Sequence, residues 1–147
     1  MKRILLALTA VLAFATLHAQ QAATLKPEVV KFKELNHNFG KIKQGAPVTH
    51  DFVFTNVSNG NVVIESATAS CGCTTPVKPE RPVAKGKAEK ITAGFNAATA
   101  GPFNKSIYVK VAGVETPVEI KISGEVLTET DYVKYEKEKK SGKGGGK

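Results

Sequence analysis

From Val30 onward, apolar and polar positions alternate with a period of two along much of the chain. Successive side chains of a strand point to opposite faces, so this period predicts strands buried on one side only. Val30 and Phe32 alternate with Lys31 and Lys33. In VTHDFVFTNV, Val48, Phe52 and Phe54 fall on even positions with His50 between them, which places all four on one sheet face. Asn59-Gly60 then predicts a hairpin turn, because both residues accept positive φ, with VVIESATA (Val62–Ala69) as the returning strand. Ile91, Ala93 and Phe95 alternate, as do Ile107, Val109 and Val111, and then Val118, Ile120 and Ile122. Gly101-Pro102 and Ala112-Gly113 read as the turns between these runs. Two stretches interrupt the rhythm. FGKIKQGAP (Phe39–Pro47) is punctuated by glycine and proline, and Ser70–Lys87 carries Pro76, Pro79, Pro82 and Gly86. Proline lacks the N–H that a central strand needs, so the second stretch is expected to be irregular.

No run before residue 127 sustains a helical period. About seven short strands, with turns every ten or so residues, predict an all-β fold: an antiparallel, immunoglobulin-like β-sandwich. A small barrel is the alternative closure. Antibody hallmarks are missing, since the sequence has no tryptophan and its two cysteines lie two residues apart.

The two ends of the chain are different material. Met1-Lys2-Arg3 is basic, Ile4–Leu17 is an apolar run of 14 residues, and Leu17-His18-Ala19 ends on a small residue. That is the layout of an export signal cleaved after Ala19, and the run is short for a membrane anchor. Removing 19 of the 147 residues leaves 128, enough for one domain with a sizeable core. No later run could cross a membrane, so the processed chain is expected to be periplasmic or extracellular, where thiols oxidise. LTETDYVKYEKEKKSGKGGGK (127–147) crowds charges and thins out apolar residues. Thr128–Lys140 can form a short helix before a flexible end. GKGGGK lacks the spacing and flanking elements of a phosphate loop. The expected organisation is a signal peptide (1–19), a lead (20–29), a sandwich domain (30–126) and a lysine-rich tail (127–147).

Charge narrows the partners. The net charge is +8, and Lys2 and Arg3 leave with the signal, so +6 remains. Residues 131–147 hold six lysines (Lys134, Lys137, Lys139, Lys140, Lys143, Lys147) against Asp131, Glu136 and Glu138, and so supply half of that. Arg81 is the only arginine after the signal. Nucleic-acid surfaces favour the planar arginine fork, so nucleic acid is not an expected partner. The tail lysines suit contact with anionic envelope polymers or lipid head groups.

The candidate chemistry is concentrated in SATASCGCTTPV (Ser66–Val77), which holds the only cysteines, Cys71 and Cys73. Four readings stay open: a redox centre, a metal clip, a staple, or two thiols in a turn. In an extended strand, residues two apart have Cβ atoms about 7 Å from each other, too far for a disulfide. The pair can close only if the backbone folds tightly at Gly72, which glycine tolerates. A three-residue loop would contribute about 1.6 kcal/mol, so global stability is a poor reason for it. Such a bond is either a local clamp or an easily reduced pair. Two thiolates, Cys71 and Cys73, can hold a soft ion such as Cu(I), whereas a closed zinc site wants four ligands. His37 and His50 are the only histidines outside the signal, and neither is near the cysteines in sequence. No GxSxG elbow is present, and two histidines leave little material for a triad. Glu115, Glu119 and Glu125 lie on alternating strand positions and read as solvated. Asn56-Val57-Ser58 and Asn104-Lys105-Ser106 match a glycosylation pattern too short to carry weight.

The segment HNFGKIKQGAPVTHDFVFTNVSNGNVVIESATASCGCTTPV resembles the bacterial family known as domain of unknown function 1573. NFGKIKQG, FVFTN, NG before an apolar strand, and SCGCTTP carry the likeness, and ITAGFN, GPFNKSIYV and VEIKISGEV extend it over residues 30–126. The resemblance implies an exported, immunoglobulin-like module similar to those of major sperm protein and cilium-associated proteins, in a family frequent in Bacteroidetes. It implies Cys71, Gly72, Cys73 and Thr74 as the signature and brings no catalytic role with it. The lysine-rich tail falls outside the pattern.

The expected function is therefore a non-enzymatic binding module without a cofactor, taking a protein or envelope component through end loops or an edge strand. The alternative is a thiol-redox or copper protein built on Cys71 and Cys73.

Overall fold

The computed structural model describes residues 28–142. The expected signal, residues 20–27 of the lead and residues 143–147 lie outside that range.

Eight strands and one helix follow in order: β1 (Val30–Phe32), β2 (Asn36–Lys43), β3 (Val48–Asn56), β4 (Ile64–Ala69), β5 (Thr74–Val77), β6 (Ala88–Phe95), β7 (Gly101–Val111), β8 (Val118–Leu127) and α1 (Glu129–Gly142). They form two four-stranded sheets, β1-β3-β6-β5 and β2-β8-β7-β4. The fold is an all-β sandwich, and no sheet closes into a barrel. Pairing is antiparallel except that β2 runs parallel to β8.

The period-two pattern decides the core. Phe52 and Phe54 of β3, Ile91 and Ala93 of β6, Ile107 and Val109 of β7, and Ile120 and Ile122 of β8 are fully buried between the sheets. Burying each large apolar side chain contributes about 1.5–3 kcal/mol, which is what holds two sheets with outward polar faces together.

Four expectations need correction. First, VVIESATA does not return beside β3. Sheet one has no room next to β3, whose neighbours are β1 and β6, and β4 pairs with β7 in the other sheet. Neither Asn59 nor Gly60 takes a positive φ. The crossing is organised by the buried Asn56 instead. Its amide donates to the carbonyls of Gly60 (2.7 Å) and Val83 (2.8 Å), and its side-chain oxygen accepts from the Ser58 N–H (2.9 Å). An amide so engaged is also closed to glycosylation.

Second, β2 occupies the glycine-punctuated stretch. Gly40, at φ 67°, forms a bulge between Asn38 and Lys41 that masks the strand pattern. Third, Ser70–Lys87 contains β5, an edge strand, where Pro76 costs no ladder bond to a central neighbour. Fourth, Gly101-Pro102 opens β7 rather than forming a turn, whereas Ala112-Gly113 does turn the β7–β8 hairpin, with Gly113 at φ 74°.

The tail is helical as far as it is described. The Thr128 hydroxyl accepts the Asp131 N–H at 3.3 Å and so caps α1. Acids stand in its first turn and Lys139 and Lys140 in its last, which matches the helix dipole. Lys43 pairs with Glu129 at 2.6 Å, and the Lys41 ammonium lies 5.1 Å from the centre of the Tyr135 ring, so α1 rests along β2. No helix among the described residues is long and apolar enough to cross a membrane.

Candidate functional site

The Cys-Gly-Cys segment is the passage from one sheet to the other. β4 ends at Ala69 in the second sheet, and β5 begins at Thr74 in the first. Between them the chain makes a tight turn, with the Thr74 N–H on the Cys71 carbonyl at 3.3 Å. That turn brings the Cys71 and Cys73 Cα atoms to 5.3 Å, and the two form a disulfide. Gly72 supplies openness rather than unusual backbone: its φ is not positive, and nothing lies within 4 Å of where a Cβ would stand. Both cysteines are half-buried, and Cys73 packs against the core. Thr74 is buried, with its hydroxyl 3.6 Å from the Cys71 sulfur and 3.9 Å from that of Cys73. The Asn96 N–H bonds the Cys73 carbonyl at 3.1 Å and ties the turn to the end of β6. A cleft of about 490 Å³ opens beside it, lined by Gly72, Cys73, Phe95, Pro102, Phe103 and Lys105. Joined as they are, Cys71 and Cys73 offer no thiolate, so Cu(I) binding would begin with reduction, and exchange would begin with attack on the disulfide by a thiolate that a partner brings.

The turn also ends the strand that presents free backbone. Each sheet has two edges, and three of the four carry devices that discourage further pairing. β1 is three residues long, β5 carries Pro76, and β2 has its bulge, Lys41 and Lys43, and α1 alongside. β4, IESATA, has neither proline nor lysine. Its register shift lies between Ile64 and Ser66, which leaves Ser66–Ala69 regular against β7. The Ser70 N–H bonds the Ser106 carbonyl at 2.9 Å. Strand alternation therefore turns the N–H groups of Ser66 and Thr68 toward β7 and those of Ala67 and Ala69 outward.

A second cluster escaped the sequence reading. Glu34 stands between β1 and β2, His37 on β2 and His50 on β3, so the two histidines come from opposite sheets. Their rings stack with centroids 3.5 Å apart and planes 7° from parallel. A Glu34 carboxylate oxygen lies 2.6 Å from His50 Nε2. Phe39 meets the His37 ring edge-on, and Phe52 meets that of His50. Burial lowers the His37 pKa, and the neighbouring His50 adds to this while Glu34 opposes it. The signal available in sequence was weak: each histidine shares a strand face with a phenylalanine two residues on. The cysteines come from the β4–β5 passage, and neither histidine belongs to it.

Solved structures of known proteins share the fold. A protein of unknown function from Porphyromonas gingivalis W83 is similar with TM-score 0.58 and 15% identity, over 67% of this chain and 46% of that one. The ASH / PapD-like domain 7 of human CEP192 is similar with TM-score 0.55 and 10% identity, over 68% and 86% of the two chains. The YadV chaperone is similar with TM-score 0.50 and 12% identity, over 67% and 52%. No curated protein matches the sequence. With residues 30–126 matched by its model, the chain belongs to the family described as "Protein of unknown function (DUF1573)".

Proposed function

We propose that this chain is an exported, non-enzymatic binding module that takes an extended segment of an envelope protein as an added strand beside β4. The observation that carries this reading is the contrast among the four edges: among the described residues, β4 alone has no proline, no lysine and no covering element. Outward N–H and C=O groups in a regular row supply main-chain hydrogen bonds to a guest strand, and small side chains let it approach. The disulfide at Cys71 and Cys73 supports the same role, because it fixes where β4 stops and the chain departs for the other sheet. The fold likeness to a chaperone and to an ASH / PapD-like domain suits a binding part and assigns no ligand.

The test places a photo-crosslinking residue at Thr68 of the full chain, in envelope extract, with and without Ala67→Pro. Proline at 67 removes an outward N–H that no strand of this chain uses. Crosslinks should form and vanish with Ala67→Pro, and bound partner should slow amide exchange at Ala67 and Ala69. Crosslinks indifferent to the proline, or turnover of a substrate by the purified chain, would refute the reading.

A further inference from the structure

We infer that Glu34, His37 and His50 bind a single divalent transition-metal ion of the zinc type. The donor set is two imidazoles and one carboxylate, and their ligand atoms all lie within 4.8 Å of one another. Nitrogen with carboxylate oxygen suits zinc and its neighbours. Calcium and magnesium want oxygen alone, and Cu(I) wants sulfur. Access is open, with the His50 side chain 21% and that of Glu34 44% exposed.

One movement is required. Rings stacked in parallel planes cannot aim both lone pairs at one ion. A turn of one imidazole about its Cβ–Cγ bond, a broad torsion for histidine, brings the nitrogens to bonding distance of about 2.0–2.1 Å. Glu34, already at His50, closes the third side. Three protein donors leave a fourth position for water or for a donor brought by another molecule. Because the histidines belong to different sheets, the bound ion bridges the sandwich, and binding to the folded form alone raises the melting temperature.

The experiment titrates zinc chloride into the full chain by calorimetry and follows melting alongside. One zinc per chain and a rise in melting temperature are expected. His37→Phe keeps an aromatic ring on His50 and removes the donor. It should weaken binding by more than about ten-fold, the loss that removal of even an outer-shell partner causes. Glu34→Gln, on an exposed side chain, should weaken it too. The double variant Cys71→Ser, Cys73→Ser should bind as the parent does. No saturable binding by the parent, binding that His37→Phe leaves within a factor of two, or binding lost with the cysteines would each overturn the inference.

Discussion

At the scale of single residues, two glycines have opposite constraints. A Cβ on Gly124 would stand 2.7 Å from the Gly40 carbonyl oxygen and 2.8 Å from the Phe103 ring. Neither neighbour yields easily: one is backbone at the β2 bulge, and the other is a buried ring stacked on Phe95 at 4.1 Å. Gly124→Ala should therefore lose about 1–3 kcal/mol, the usual cost of overpacking, read from urea unfolding. Gly72 is the reverse. Its φ is ordinary and its surroundings are open, so Gly72→Ala should keep the disulfide and change stability by less than about 0.5 kcal/mol. A large loss at Gly72 would mean that the turn uses the freedom of glycine after all. Asn56 belongs to the same scale: one buried amide holds the Asn56–Gly60 turn and the Val83 backbone, which bridges to Val62, together.

At the scale of elements, the disulfide is a clamp between β4 and β5. A three-residue loop restrains the unfolded chain little, so Cys71→Ser with Cys73→Ser should cost about 1.6 kcal/mol and leave the β-sheet circular dichroism intact. Chemical denaturation under oxidising and reducing conditions checks both, and outright unfolding on reduction would contradict the estimate. The elements that escaped the sequence reading share one cause. β2 is bent by the Gly40 bulge and flanked by lysines, and β5 contains Pro76, so both look like loops by local criteria. Both are edge strands, where proline, bulges and charges are tolerated and useful.

At the scale of the whole molecule, His37 and His50 form a seam between the sheets that responds to pH. The folded pKa of His37 lies below its ordinary value, chiefly through burial, so the unfolded chain takes up a proton first as pH falls. This stability is fully present above the unfolded pKa of about 6.5 and is lost as pH falls through the lower folded value. The urea midpoint should drop between about pH 7 and pH 5, and His37→Phe should flatten that drop. Asp51, held below its usual pKa by hydrogen bonds from Lys90 and Thr92, and Glu119, held down by Ser106 and Lys121, act in a lower window. Their effect sets in below about pH 4–5 and should survive His37→Phe. An unchanged midpoint from pH 7 to 5 would show that the seam does not couple to folding.

The sequence by itself determined the class of fold and the inward face of its main strands. Period-two alternation is a local property, and burial of Phe52, Phe54, Ile91, Ile107, Ile120 and Ile122 follows from it. It also marked Cys71–Thr74 as a turn with chemistry in reach, because the residue types and their spacing are local too. Only the tertiary structure decided which sheet receives β4, which edges are protected, and which side chains meet across the sandwich. The Asn59-Gly60 signal is a turn propensity, and whether the chain then returns or crosses depends on which neighbours already flank β3. His50 follows His37 by thirteen positions, and their rings stack because β2 and β3, in different sheets, present inward faces to the same seam. That contact follows from packing two sheets face to face, and a pattern read along one strand at a time does not contain it.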